Sequence, residues 1–386
     1  MSPPGQPPMF ALTAEHLAIR DMAKSFADER FAPNAIAWDE AKHFPVEELR
    51  EAAALGMGAI YVREESGGSG LTRLDAALIF EALATGCPST AAYLSIHNMV
   101  AWMIDRFGSP PLREKYLPKL ATMAHLSSYC LTEPGAGSDA AALKTRARRE
   151  GDFFVLDGVK QFISGAGAAD IYLVMARTGG EGAGGVSAFV VEKGTAGLSF
   201  GANERKMGWN TQPTRQVILE GARIPAEHLV GAEGEGFRIA MAGLDGGRLN
   251  IGACSLGGGE AALAKALAYM RERKAFGRAL VDFQALQFRL ADIATSLEAA
   301  RSLLWRAASA LDAKAPQATQ LCAMAKRVAT DAGFAAANDS LQLLGGYGYL
   351  ADYGIEKIVR DLRVHQILEG TNEIMQLIAA RGLIQG

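Results

Sequence analysis

Hydrophobic periodicity changes twice along these 386 residues, and both changes are abrupt. Up to about residue 125, apolar side chains recur at helical spacing. From Ser127 to about Val230 they alternate in short runs punctuated by glycine, and after Gly236 helical spacing returns. A helix-period pattern does not settle as a strand, nor the reverse. The chain is therefore expected to form three blocks, with boundaries at 1–125, 126–235 and 236–386. The predicted fold class is α+β: an N-terminal helical domain, a middle antiparallel β-domain and a C-terminal four-helix bundle.

Within the first block Thr13 is placed to cap a helix over 14–26, and 46–54, 74–84, 91–107 and 112–123 read as further helices. In the second block, Phe153–Leu156 and Val159–Ser164 flank Asp157-Gly158, a dipeptide that favours a tight hairpin. Residues 171–176, 188–191 and 215–219 read as more strands, with Gly179–Gly185 as a turn. In the third block, helices are predicted over 237–244, 248–270, 282–311 and 318–344. Two of these approach 30 residues, and short connections would make them antiparallel neighbours.

Composition excludes several function classes. Thirty-nine basic against 42 acidic residues leave a net charge of −3, too little field to attract nucleic acid or an anionic membrane. The basic run Lys144–Arg149 lacks interleaved aromatics and reads as a solvated face. No apolar run reaches the roughly 18 residues that span a bilayer. Four cysteines without a CxxC, and six histidines without an HExxH, suggest neither a disulfide framework nor a metal site. Met1–Met9 is Pro-rich and resembles neither a secretory nor a transit segment. The expectation is a soluble cytoplasmic protein of bacterial context, without metal, nucleic acid or membrane insertion.

Five segments could carry chemistry. Tyr129–Asp139 (YCLTEPGAGSD) loosely fits a dinucleotide fingerprint at Gly135 and Gly137. It lacks the strand–turn–helix–strand context that the fingerprint needs, and Asp157 suits the Asp-Gly turn better than a ribose. The plain alternative is a glycine turn with Asp139 as a helix cap; the functional one is a row of exposed amides for flavin or phosphate oxygens. Gln161–Gly165 reads, by itself, as a strand end with one aromatic. Arg271–Arg278, followed by Phe283-Gln284, is either a pyrophosphate clamp or a solvated helix end. Gly345 follows an apolar helix as a natural cap and opens a glycine-rich turn. In the fifth segment, Glu369 sits between Leu368 and Gly370; a carboxylate among apolar groups has a raised pKa, which suits a general base. Thr371 could cap a last helix, and His365 reads as a structural hydrogen-bonding residue.

In this order and at these separations, the segments resemble the acyl-CoA dehydrogenase family over essentially the whole chain. The most specific parts are Tyr129–Asp139, Arg273–Gln284 (RKAFGRALVDFQ), Gln342–Gly348 (QLLGGYG) and Gln366–Glu373 (QILEGTNE). The resemblance implies non-covalent FAD, an acyl-CoA substrate, an electron-transferring flavoprotein as partner and a homotetramer built as a dimer of dimers. By motif match, Tyr129, Leu131, Thr132, Gly137 and Ser138 would line the flavin. Phe162, Ile163 and Ser164 would lie against its ring, and Arg273, Phe276, Phe283 and Gln284 would reach the pyrophosphate region. Gln342, Leu343, Leu344, Gly345 and Gly346 would contact the cofactor of a neighbouring subunit; Thr371, Asn372 and Glu373 would add further FAD contacts. Ser138, Asp245, Gly246, Gly247, Arg248 and Gly370 would hold the thioester, and Glu369 would be the base. Some branches carry the base at the position of Gly247, so here Glu369 has no rival. The stretches Asn203–Asn210 and Gly246–Gly257 are most similar to the isobutyryl-CoA branch, which implies conversion of isobutyryl-CoA to methacrylyl-CoA.

Overall fold

The computed structural model describes residues 12–385; the expectation about Met1–Met9 falls outside them. The first block contains α1 (Ala14–Phe26), α2 (Ala35–Ala41), α3 (Val46–Ala54), α4 (Arg73–Ala84), α5 (Pro88–Phe107) and α6 (Pro110–Ala121). Thr13 caps α1 as expected: its hydroxyl accepts the His16 amide. Helix α5 is almost wholly buried, and its buried polar side chains are hydrogen-bonded. Asn98 takes the Ile60 amide at 2.7 Å and donates to the Met57 carbonyl. His97 accepts the Ser127 amide on Nδ1, so Nε2 carries the proton and donates to the Leu120 carbonyl. These bonds fasten the 57–60 loop and the first strand to α5.

The middle block is one sheet in the order β6-β7-β3-β2-β4-β5-β8, with β1 beside β4. The strands are β1 (Ser127–Cys130), β2 (Arg146–Glu150), β3 (Phe153–Ser164), β4 (Ile171–Arg177), β5 (Val186–Glu192), β6 (Leu198–Phe200), β7 (Thr214–Pro225) and β8 (Leu229–Val230). Pairing is antiparallel except where β4 meets β1 and, at a single residue pair, β2. One sequence expectation is overturned in this sheet. Asp157-Gly158 is not a hairpin: β3 runs straight through it with a bulge against β7. Asp157 Oδ1 accepts the Gly221 amide on β7 at 2.7 Å, and a Cβ at Gly158 would strike Thr145. The tight turn lies earlier, at Gly151-Asp152 between β2 and β3, with Gly151 at φ +61°. The basic run Lys144–Arg149 is a solvated face as expected: Lys144, Arg146, Arg148 and Arg149 are exposed, the last three on β2.

The third block is built on α7 (Gly236–Glu272), α8 (Gln284–Asp312) and α9 (Ala318–Leu343), followed by α10 (Ile355–Arg363) and α11 (Asn372–Gln385). Residues 237–244 and 248–270, predicted as separate helices, form one continuous α7 of 37 residues, about 55 Å long. Gly246 and Gly247 cost helix propensity, roughly 1 kcal/mol each, but close packing on both sides of α7 retains them. At Gly257 an added Cβ would strike the backbone of α4, and at Gly333 on α9 one would strike the backbone of α7. Helix α9 lies against α7, α8, α10 and α11. Among the described residues, no helix is long and apolar enough to cross a membrane, and no group of three or more His, Cys, Asp or Glu could hold a metal.

Candidate active site

The Gly-rich turn of residues 133–138 is held by its own glutamate. Glu133 accepts the amides of Lys144 and Thr145 and the ammonium of Lys160, the last at 2.7 Å. Burial pushes this carboxyl up, but Lys160 and the two amides more than offset it, and its pKa lies below the usual range. Glu133 is therefore an anchor rather than a reacting group. Asp139 does not cap through its side chain; only its carbonyl accepts the Ala142 amide. The anchored turn leaves Gly135, Gly137 and Ser138 exposed, and a Cβ at either glycine would meet nothing within 4 Å.

Strand β3 comes alongside this turn. The Gln161 amide donates to the Thr132 carbonyl at 2.8 Å, and Ser128 Oγ donates to the Ser164 carbonyl at 2.7 Å. Between Lys160 and Ile163 the pairing with β7 slips, and Phe162 takes φ +59° with its ring 64% exposed. An aromatic held in the left-handed region and turned to solvent is strained and costly, which marks a surface that another group covers. Ile163 and Leu131 are buried in the core, so only their backbones face this surface. The structure thus brings Tyr129–Ser138 and Phe162–Ser164 together.

A second group gathers at the far end of α7. Arg273, Gln342, Leu343, Leu344, Gly345 and Gly346 line a cavity of about 520 Å³ with Tyr269, Arg289 and Tyr347. Gly345 takes φ +60°, as its capping position requires. Phe276-Gly277 makes a tight turn between Lys274–Ala275 and Arg278–Ala279, with Phe276 96% exposed. Phe283 lies beneath the Arg278 guanidinium, 4.0 Å away, and Gln284 opens α8 in the exposed zone.

The third group surrounds Glu369. This residue takes φ +57° and Gly370 takes φ +89°. Its Oε2 is buried without a hydrogen-bond partner. Burial raises its pKa to about 7, against the opposing pull of Arg248 and Lys326. A Cβ at Gly247 would lie 2.5 Å from that oxygen and 3.0 Å from Met99 Sδ, so any side chain at Gly247 would meet the Glu369 carboxylate. Arg248 bonds Asp245 at 2.6 Å, and its Nε reaches the Glu369 carbonyl at 3.5 Å. Tyr129 Oη is also buried and unpartnered, within reach of the charges on Glu369 and Arg248. Gly246 faces a different cation, Arg73, whose guanidinium lies 3.7 Å from the Tyr61 ring centroid and 4.7 Å from that of Trp102.

Some residues stand apart from their expected roles. Ser138 makes no hydrogen bond to Asp245–Arg248 among the described residues. Asn372 spends its side chain on α9, where it meets Lys326, Thr330 and Asp331. Thr371 caps α11 by accepting the Ile374 amide, and Glu373 is exposed beside it. His365 is structural as expected. The Trp209 indole donates to its Nε2, so Nδ1 carries the proton and faces Ser255 Oγ at 2.7 Å. Burial lowers its pKa to about 3. Sequence reasoning missed Tyr61, Arg73, Met99 and Lys326. For Lys326 a signal existed: it lies four residues after Cys322 on the apolar stripe of an alanine-rich helix.

The site thus comprises an exposed aromatic shelf beside an open glycine-rich turn, a cavity with a cationic rim and a buried unpartnered carboxylate. The chain belongs to the acyl-CoA dehydrogenase family. The models of its N-terminal, middle and C-terminal domains match residues 13–124, 128–222 and 234–384. The chain is 53% identical to the mitochondrial isobutyryl-CoA dehydrogenases of Bos taurus and Dictyostelium discoideum, over 98% and 97% of its length and 91% of theirs. Among solved structures it is similar to butyryl-CoA dehydrogenase from Megasphaera elsdenii, with TM-score 0.94 and 38% identity over 97% of this chain and 99% of that one. It is similar also to the FAD complex of PigA, with TM-score 0.94 and 31% identity over 98% and 100%. It is thus an acyl-CoA dehydrogenase, an FAD-dependent oxidoreductase. The residues present suit that cofactor: the Phe162 shelf, the uncovered glycines and the Arg273 cavity are features an extended planar and anionic group would complete.

Proposed function

We propose that this enzyme oxidises a short branched acyl-CoA, isobutyryl-CoA to methacrylyl-CoA, with Glu369 as the base. The observation that carries the reading is a buried, unpartnered carboxylate facing Gly247, together with 53% identity to isobutyryl-CoA dehydrogenases. A thioester acidifies its α-hydrogen only modestly, so the base must be close, dry and nearly matched in pKa to the working pH. Glu369 meets these conditions, with a pKa near 7. Its Oε2 takes the α-proton, and its backbone amide donates to the thioester oxygen, where negative charge develops. Bound FAD supplies the acceptor for the β-hydrogen and its electron pair. Tyr129, Thr132, Phe162 and Ser164 hold that group on the β-domain side, and Arg273 and Gln284 hold its phosphates. Gln342–Gly346 complete the binding of a neighbour's FAD, within a homotetramer. Asp245 and Arg248 brace the start of the acyl site. Electrons leave to an electron-transferring flavoprotein, and the enzyme works in the cytoplasm.

The acyl pocket is short on this reading. Met99 and Met103 of α5 press on Gly247 and Gly243, and Arg73 stands against Gly246 between two aromatic rings. A branched α-carbon needs width at Gly247, which an absent side chain provides, and little length beyond it. One methylene changes discrimination by only about 1–3 kcal/mol, so butyryl-CoA and 2-methylbutyryl-CoA should turn over at reduced rates. The test is kcat/KM across isobutyryl-, 2-methylbutyryl-, isovaleryl-, butyryl- and octanoyl-CoA. Isobutyryl-CoA should rank first; preference for octanoyl- or isovaleryl-CoA would refute the substrate.

A further inference from the structure

The turn that carries the base is two consecutive residues in the left-handed region, Glu369 and Gly370. Glycine adopts that conformation freely, but glutamate does so only where its surroundings hold it. The surroundings come chiefly from one face of α9. Lys326 Nζ donates to the Gly370 carbonyl at 2.8 Å and to Asn372 Oδ1 at 2.9 Å. Asn372 Nδ2 in turn donates to Thr330 Oγ1 at 3.0 Å and to Asp331 Oδ1 at 2.8 Å. Gln366, on the other side of the turn, donates to Asp331 Oδ1 at 2.7 Å. Three residues of α9, Lys326, Thr330 and Asp331, thus grip the segment before and after the base.

Lys326 is the anomalous member. It is fully buried, and removing an ammonium from water is expensive unless its bonds or its charge are used. Its bonds fix the peptide that follows the base. Its charge is felt at the base, because Lys326 and Arg248 are the two cations that oppose the burial of Glu369. We propose that Lys326 is a positioning residue for catalysis: its ammonium locks the Glu369–Gly370 turn and keeps the Glu369 carboxylate available as a base. This rests on the reading of Glu369 as the base.

The other groups around Glu369 do not replace it. Arg248 of α7 contributes the second positive charge, but it is also bonded to Asp245. Tyr61 and Tyr129 are phenols whose pKa burial raises further, so they stay neutral. His365 is neutral as well. Around Lys326 itself, Glu369, Asp331 and Glu373 favour its charged form, while burial and Arg248 oppose it; the balance leaves it at about 8. It therefore remains mostly protonated where the enzyme works.

A nearby cation lowers a carboxyl pKa, so removing it raises the pKa of Glu369 and moves the acid limb of the rate profile to higher pH. The experiment compares wild type, Lys326→Met and Lys326→Arg as FAD-loaded enzymes, by rapid anaerobic reduction with isobutyryl-CoA from pH 6 to 9. In Lys326→Met the acid limb should move up by about one unit, and reduction at pH 7 should slow about fivefold or more. Lys326→Arg keeps the charge but not the geometry; its limb should stay with wild type while its plateau rate falls. A Lys326→Met limb that coincides with wild type would overturn the proposal, whatever its rate. If that variant does not fold, Lys326→Arg decides: a rate equal to wild type at every pH would overturn it. Failure of wild type to be reduced by any acyl-CoA would instead refute the proposed function.

Discussion

At the position of the base, stability and chemistry pull in opposite directions. The folded pKa of Glu369, about 7, lies above the ordinary 4.5. Between those values the folded state holds a proton that the unfolded chain has released, so stability falls as pH rises from 4.5 towards 7. Glu369→Gln cannot titrate. It should therefore match wild type in thermal unfolding near pH 4.5 and exceed it above pH 7, by about 3 kcal/mol. Equal melting temperatures across that range would show that Glu369 is not perturbed by burial. At Gly247, an alanine methyl would crowd the same carboxylate oxygen. Gly247→Ala should lower the rate of flavin reduction more than it lowers FAD content, as read by single-turnover absorbance.

Helices α7 and α9 show how sequence patterns can mislead and still inform. Their glycines look like breaks, yet Gly257 and Gly333 allow neighbouring backbones to approach too closely for a side chain. Gly333→Val should destabilise the protein by about 3 kcal/mol or more through overpacking, measurable by chemical denaturation; a loss under 1 kcal/mol would mean that the helices can separate. The same effect explains why 237–244 and 248–270 read as two helices: propensity registers Gly246-Gly247 as a break, while tertiary packing decides otherwise. Asp157-Gly158 misled in a similar way. Its composition matches a hairpin, but a β7 amide takes the aspartate and a close approach to Thr145 takes the glycine. The three-block layout was legible because it depends on period alone, and Glu369, Gly345 and the Thr13 cap were legible because each has a local signature. Tyr61, Arg73 and Met99 were not, since they come from distant helices and loops and acquire meaning only from what they face.

Across the whole molecule, the blocks are joined by buried charge as well as apolar packing. Asp361 of α10 accepts the Trp209 amide from the β-domain at 2.6 Å and the Lys357 ammonium at 2.6 Å, and Lys357 also reaches Cys87 beside α5. Both charged side chains of that pair are almost fully buried. Asp361→Ala would strand the Lys357 charge and should destabilise by about 3–5 kcal/mol; in denaturant unfolding, unchanged stability would show that the blocks do not depend on this link. The exposed Phe276, Phe288 and Tyr349 call for a covering surface, and light scattering of the FAD-loaded protein should give a homotetramer rather than a monomer. The proposed chemistry turns on one reaction at one carboxylate. It is tested most directly by mixing the FAD-loaded enzyme anaerobically with isobutyryl-CoA and following the flavin absorbance. Wild type should bleach rapidly, and Glu369→Gln, with FAD and substrate still bound, should bleach slower by a factor of about 10² or more; bleaching of both at the same rate would place the base elsewhere and contradict the account.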